Sequence, residues 1–297
     1  MVETSTCLMR ILLFGKSGQF GQTFLSNIHG HEVYAPSRLE FDLEAESGIK
    51  ELFDFCNPEV VINAAAWTDV NAAEENEFRV LKANTNFVEM LAQETSKNGA
   101  KLIQISSDYV FDGMASMPYS TNSLKNPQTV YGKSKSMAED LLQVTYPENS
   151  FIIRTSWLYS RYRKNFVKTI LKKLLENSAP IFVVNDQFGA PTWAEDLVNC
   201  TVFFAENEIE PGIYHFSNVG KASWYQFAVA IATLSGFDSN RIVGTTSSDK
   251  VFQVDRPKYS VLSLNKTESI LDRMIPTWEQ SLAKSLGEII SNVEKEI

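Results

Sequence analysis

Ile11-Leu12-Leu13-Phe14-Gly15-Lys16-Ser17-Gly18-Gln19-Phe20-Gly21 is the stretch on which the fold turns. Four apolar residues in a row suit a strand covered on both faces. Three glycines at GxxGxxG spacing follow and open an amphipathic run, Phe20 to Ile28. Glycine lets such a turn reach positive φ and lets the backbone approach a pyrophosphate, which then rests on the free N–H groups of a helix N-terminus. The stretch therefore predicts a strand, a phosphate-binding loop and a helix, with Gly15, Gly18 and Gly21 as candidate cofactor contacts. The plain alternative is a glycine-rich βα turn without a ligand.

Outward from this stretch the first half alternates short apolar runs with longer amphipathic ones. Glu32 to Ala35, Val60 to Ala65, Lys101 to Ser106 and Phe151 to Thr155 read as strands. Glu74 to Lys97 and Gly132 to Val144 read as helices. Strands alternating with helices predict an α/β fold with a doubly wound parallel sheet. After Thr155 the rhythm loosens into a basic helix candidate (Asn165 to Leu175), an isolated strand (Ile181 to Val184), a turn around Pro211-Gly212 and a helix (Trp224 to Leu234). His215, within Ile213 to Phe216, reads as a strand residue. Residues 1–155 are expected to form mainly a nucleotide-binding domain and 156–297 mainly a smaller C-terminal substrate lobe, with segments near 184–210 returning to the first.

An acid normally holds the adenosine ribose at the end of the second strand, whereas a 2′-phosphate calls for an arginine there. Pro36-Ser37-Arg38 occupies that place, so Ser37 and Arg38 favour NADPH, with NADH an open second cofactor. A solvated loop cation is the competing reading of Arg38. Asp42, a further cofactor candidate, reads more simply as a helix N-cap ahead of Leu43-Glu44-Ala45-Glu46.

Tyr131-Gly132-Lys133-Ser134-Lys135 sets a phenol and an ammonium on one helix face. A phenol, with a reference pKa near 10, becomes a useful proton donor at neutral pH when a neighbouring cation stabilises its anion. Lys135 could supply that charge. Alone the pair is an ordinary surface feature, but Ile103 to Tyr109 ends a predicted strand in Ser106, Ser107 and Asp108, and ligands bind at the carboxyl ends of strands in such sheets.

The glycine loop, Asn63-Ala64-Ala65-Ala66, the strand-end serine and YxxxK together resemble the extended short-chain dehydrogenase/reductase family. Ser106 to Gly113, Arg154 to Tyr159, Asn185 to Thr192 and Arg256-Pro257 are similar to its dTDP-4-dehydrorhamnose reductase branch, over about Ile11 to Trp278. The resemblance implies a Rossmann fold and NADPH-dependent reduction of a hexose C4 ketone, giving dTDP-L-rhamnose from dTDP-4-dehydro-L-rhamnose. It implies Ser107, Tyr131 and Lys135 as the catalytic triad. Threonine is usual in the family where Ser107 stands, a change that keeps the hydroxyl. It also implies Lys16, Gln19, Phe20, Asn63, Ala64 and Ala65 as cofactor contacts, beside Tyr131 and Lys135. For the nucleotide sugar it implies Asp108, Tyr109, Trp157, Asn165, Gln187 and Arg256, with Arg256 suited to clamping a diphosphate. Asn84 is a lesser carry-over.

Some members form a magnesium-dependent dimer through an acid just after the glycine loop, where this chain has Gln22-Thr23. No metal is expected, and a homodimer is left open. A sugar dehydratase would carry an acid pair after the strand-end hydroxyl, but Tyr109 follows Asp108. A 4-epimerase would keep the ribose-binding acid that Pro36-Ser37-Arg38 lacks. Reductases of other nucleotide-linked 4-keto-6-deoxy sugars remain as alternatives. So does a non-catalytic regulatory subunit on the same fold, as found beside methionine adenosyltransferase.

Composition narrows the field further. The 297 residues carry 27 basic and 36 acidic side chains, a net charge of −9 without basic clusters, which argues against nucleic acid as a partner. At 44% hydrophobic the chain can bury a sizeable core. Cys7, Cys56 and Cys200 are odd in number and far apart, which suits a reducing compartment. The apolar run after Arg10 is too short for a signal or membrane segment. The expectation is a cytoplasmic protein that makes no membrane contact.

Overall fold

The computed structural model describes residues 8–42, 48–249 and 254–297. It begins with β1 (Arg10–Phe14), α1 (Gln19–Asn27), β2 (Glu32–Tyr34), α2 (Ile49–Cys56) and β3 (Val60–Asn63). Two short helices, α3 (Val70–Glu74) and α4 (Glu77–Leu81), and a π-helical turn at Lys82–Asn86 then run into α5 (Phe87–Asn98). Next come β4 (Lys101–Ser107), a 3-10 turn at Asp108–Val110, α6 (Val130–Thr145) and β5 (Ser150–Thr155).

The second half holds β6 (Leu158–Tyr159), α7 (Phe166–Glu176), β7 (Ile181–Val184), β8 (Phe188–Gly189), β9 (Thr192–Trp193) and α8 (Ala194–Glu206). It continues with β10 (Gly212–His215), β11 (Ala222–Ser223), α9 (Trp224–Leu234), β12 (Ile242–Thr245), α10 (Asn265–Glu268) and α11 (Trp278–Glu294).

The main sheet runs β10-β5-β4-β3-β1-β2, with every pairing parallel. Chain order reverses between β1 and β3, which places a topological switch point at the carboxyl end of β1, beside the glycine loop. Successive β1 residues alternate between two cores. Ile11 and Leu13 pack with α1 and α8 residues such as Phe24, Leu197 and Phe204, while Leu12 and Phe14 pack with Phe53, Phe87 and Leu91 on the opposite face. Each such fully buried side chain contributes about 1.5–3 kcal/mol. A third core joins α7, α9 and α11 through Leu171, Phe227 and Leu282.

Two expectations are corrected. Glu74 to Lys97 is not one helix but the end of α3, then α4, the π-helical turn and α5. The strand at 181–184 is not isolated, since it pairs in parallel with β12. The helix expected after an Asp42 N-cap falls on residues 43–47, which lie outside the described residues, and α2 begins later, with Gly48 at φ +89 as its N-cap. Among the described residues no helix is long and apolar enough to cross a membrane.

Candidate active site

The glycine loop owes its shape to two glycines and leaves the third free. Gly15 sits at φ +92, and a Cβ there would stand 2.6 Å from the Ala64 carbonyl carbon. A Cβ on Gly21 would overlap the Gly15 carbonyl oxygen. Gly18, the N-cap of α1, has ordinary φ, and a Cβ there would meet only the Gly15 oxygen, at 3.4 Å. No side chain caps α1 and no acid stands in its first turn, so its N-terminus suits an anion. Asn63 is fully buried, donating to Gln104 Oε1 and accepting from the Ala65 N–H, which fixes the Ala64-Ala65 backbone against Gly15.

Beyond β2 the chain turns at Ser37, whose N–H donates to Glu40 Oε2 at 2.6 Å. Lys16 Nζ stands 3.5 Å from the same oxygen, tying this turn to the glycine loop. Hydrogen bonds from Ser37, and then Lys16, hold the Glu40 carboxyl below its ordinary pKa. Arg38 is exposed at this edge, with no ion-pair partner among the described residues.

Gln19 and Asn165 meet each other. Asn165 Nδ2 donates to Gln19 Oε1 at 3.0 Å and to the Ser160 carbonyl, Gln19 Nε2 donates to the Leu158 carbonyl, and Asn165 Oδ1 caps α7. These amides join α1 to the chain after β5. Gln187 is likewise buried, and its amide donates to Ser247 Oγ.

The carboxyl end of β4 meets the first turns of α6. Thr129 caps α6 by accepting from the Gly132 N–H, and Gly132 is required because a Cβ there would overlap the Tyr109 carbonyl oxygen. This close approach brings the Tyr131 and Tyr109 rings edge to face, 5.6 Å apart. Ser107 Oγ donates to Asp108 Oδ1 and accepts from the Tyr109 N–H. Asp108 is buried, and its Oδ2 has no hydrogen-bond partner among the described residues. Burial pushes its pKa up to about 6, against the hydrogen bond from Ser107.

Lys135 is buried too, and its Nζ donates to the Ile105 carbonyl at 2.7 Å. Burial draws its pKa down to about 8, with Glu139 acting the other way. The Tyr131 phenol is driven above its ordinary range, first by burial and then by the charges of Asp108 and Tyr109, with a Ser107 hydrogen bond opposing. Desolvation dominates at Tyr131, and the Lys135 ammonium donates to the Ile105 carbonyl.

Arg256 Nη1 donates to the Tyr109 hydroxyl at 2.9 Å, and Nη2 donates to Asn71 Oδ1 at 2.8 Å. Its position follows from Gly113, at φ +74, where a Cβ would stand 2.6 Å from Pro257 Cα. Trp157 takes a left-handed φ of +47, which lays its ring against Gly189 and in a 3.4 Å stack on Trp224. Glycine at 189 makes room for that ring, since a Cβ there would stand 2.5 Å from it.

The glycine loop after β1 and the junction of β4 with α6 thus stand at the carboxyl ends of strands in one parallel sheet. The RmlD substrate binding domain family model matches residues 9–291. The chain belongs to this family. A relative in Bacillus subtilis, the spore coat polysaccharide biosynthesis protein SpsK, is 35% identical, covering 95% of this chain and 98% of its own. The dTDP-4-dehydrorhamnose reductase of Aggregatibacter actinomycetemcomitans is 33% identical over 93% of this chain and 97% of its own. Among solved structures, the Bacillus anthracis dTDP-4-dehydrorhamnose reductase in complex with NADP superposes with a TM-score of 0.90 at 30% identity, covering 95% of this chain and 100% of that one.

Several residues that shape this RmlD-family site carried no signal that sequence reasoning used. Gly132 lies inside YxxxK, and a glycine next to a candidate catalytic tyrosine could have suggested a close backbone approach. Asn71 and Trp224 come from distant segments and are found only in three dimensions. Asn84 holds the loop after β3, exchanging hydrogen bonds with the Trp67 backbone and donating to Ser134 Oγ. Ser134 in turn donates to the Tyr131 carbonyl.

Proposed function

We propose that this chain catalyses NADPH-dependent reduction of the C4 ketone of dTDP-4-dehydro-L-rhamnose, giving dTDP-L-rhamnose. The observation that carries the reading is the junction of β4 with α6, where Ser107, Tyr131 and Lys135 converge at the carboxyl end of a parallel sheet. The loop fits a dinucleotide, since Gly15 and Gly21 let the backbone fold tightly while the uncapped start of α1 can receive a pyrophosphate. Ser37 and Arg38 favour a cofactor with a 2′-phosphate. NADH is a second, weaker candidate.

Bound NADPH supplies the hydride. Tyr131 donates its phenolic proton to the oxygen that becomes the C4 hydroxyl, and Ser107 hydrogen-bonds the same oxygen. Lys135 holds positive charge beneath the site and orients the cofactor ribose. Asp108, Tyr109 and Trp157 bind the sugar, and Arg256 bonds the diphosphate. In this assignment residues 1–155 mainly hold the dinucleotide and 156–297 mainly the sugar nucleotide. We place the enzyme in the cytoplasm with a nucleotide sugar as its partner.

The test is NADPH absorbance when the purified protein meets dTDP-4-keto-6-deoxyglucose, with and without a 3,5-epimerase. The expected result is oxidation that requires the epimerase. Consumption without it would indicate a reductase of a different 4-keto-6-deoxy sugar. No consumption under any condition would favour the regulatory reading.

A further inference from the structure

Beneath the proposed triad lies a buried ionic cluster that the reaction scheme does not use. Lys135 and Glu139 stand one turn apart on the inner face of α6, at 3% and 0% exposure. Two consecutive residues of β4 engage that face: the Ile105 carbonyl accepts from Lys135, and Ser106 Oγ donates to Glu139 Oε1 at 2.6 Å. Arg154, paired in register with Ser106 on β5, closes on Glu139 with Nε to Oε1 at 2.9 Å and Nη2 to Oε2 at 2.7 Å. Both side chains of this pair are 1% exposed.

We propose that Glu139 is a positioning residue which, clamped by Ser106 and Arg154, fixes the register of α6 on β4 and keeps Lys135 in its ammonium form. The proposal rests on the reading of Lys135 as part of the active site. A buried ammonium is costly without a nearby anion. The charged and titratable groups around it are few. Lys125, from the loop before α6, has its Nζ 3.5 Å from Glu139 Oε2 but is itself paired with Asp140. His215 on β10 contacts Arg154 Nη1 at 3.3 Å and stays neutral, because burial and Arg154 draw its pKa to about 3. Asp108, Tyr109 and Tyr131 lie toward the ligand side. Glu139 is the group whose charge works against the desolvation of Lys135.

A purely structural pair would stabilise the fold and leave the titration of Lys135 alone. The test is NMR titration of protein labelled with 13C at lysine Cε, with the Lys135 signal assigned through Lys135→Arg. In Glu139→Gln the Lys135 midpoint should fall by about one pH unit, a tenfold change in its acid dissociation constant. Because that variant strands the Arg154 charge and can fail to fold, Glu139→Gln/Arg154→Met is compared with Arg154→Met alone, so that the Arg154 charge is absent from both, and the Lys135 midpoint should be lower in the double variant. Where NADPH turnover is measurable, its alkaline limb should move with the NMR midpoint. Equal Lys135 midpoints in Arg154→Met and the folded double variant would overturn the proposal. The NMR readout needs no substrate, so a failed reductase assay does not decide it.

Discussion

Single residues in this site are set by what surrounds them more than by their own chemistry. Asp108 is the clearest case. Burial raises its pKa to about 6, so between about pH 4 and 6 the folded protein holds a proton that the unfolded chain has released. Its contribution to stability therefore falls as pH rises through that window, and the loss persists above it. Asp108→Asn should gain about 2 kcal/mol on the parent between pH 4 and pH 7, measured by urea unfolding at the two pH values. A constant difference would show that Asp108 is solvated. Arg38, exposed beside Ser37, should act differently. Arg38→Ala should weaken NADPH about tenfold or more, with NADH nearly unchanged, because only the 2′-phosphate uses its charge. Fluorescence titration with both nucleotides checks this, and equal losses would remove Arg38 from the cofactor site. The residue types at Ser107, Tyr131 and Lys135 were legible in the sequence. The direction of the Tyr131 shift was not, because it sums desolvation by residues from several distant segments.

At the level of elements, the glycine loop separates packing from binding. Gly15→Ala combines a left-handed φ with overlap on the Ala64 backbone and should cost about 1–3 kcal/mol or more in stability. Gly18→Ala meets no such contact, so its thermal unfolding should stay within about 0.5 kcal/mol of the parent. NADPH affinity should nonetheless drop, since the new methyl stands at the start of α1, where a pyrophosphate would rest. Melting curves paired with nucleotide titration distinguish the two, and unaltered binding in Gly18→Ala would argue against the cradle. The strands covered on both faces were readable because their apolar runs are continuous, as in Val60 to Ile62. Two-residue strands such as β6, β8, β9 and β11 carry no periodicity to read. The π-helical turn at Lys82–Asn86 was also hidden, since its role lies in contacts that Asn84 and Thr85 make with Ser134.

On the scale of the whole molecule, the two halves are joined by polar contacts directly at the glycine loop. Gln19 accepts from both Ser160 and Asn165, so the helix that would carry the pyrophosphate is fastened to the segment leading into α7. Asn165→Ala removes the α7 cap and the latch together. It should cost about 1–2 kcal/mol in unfolding free energy and also weaken NADPH, a combination that cap loss alone would not give. The alternation of strands and helices made the parallel sheet legible. The latch was not, because it depends on residues 146 positions apart meeting across a loop.

The central claim is that Tyr131 delivers the proton in a reductase site completed by Ser107 and Lys135. Tyr131→Phe tests it most directly, assayed for turnover against dTDP-4-keto-6-deoxyglucose with epimerase and for NADPH binding by fluorescence. The account predicts turnover lowered by about 10²–10⁴-fold, with nucleotide affinity within about threefold of the parent, because only the proton donor is deleted. Turnover near the parental rate would contradict it.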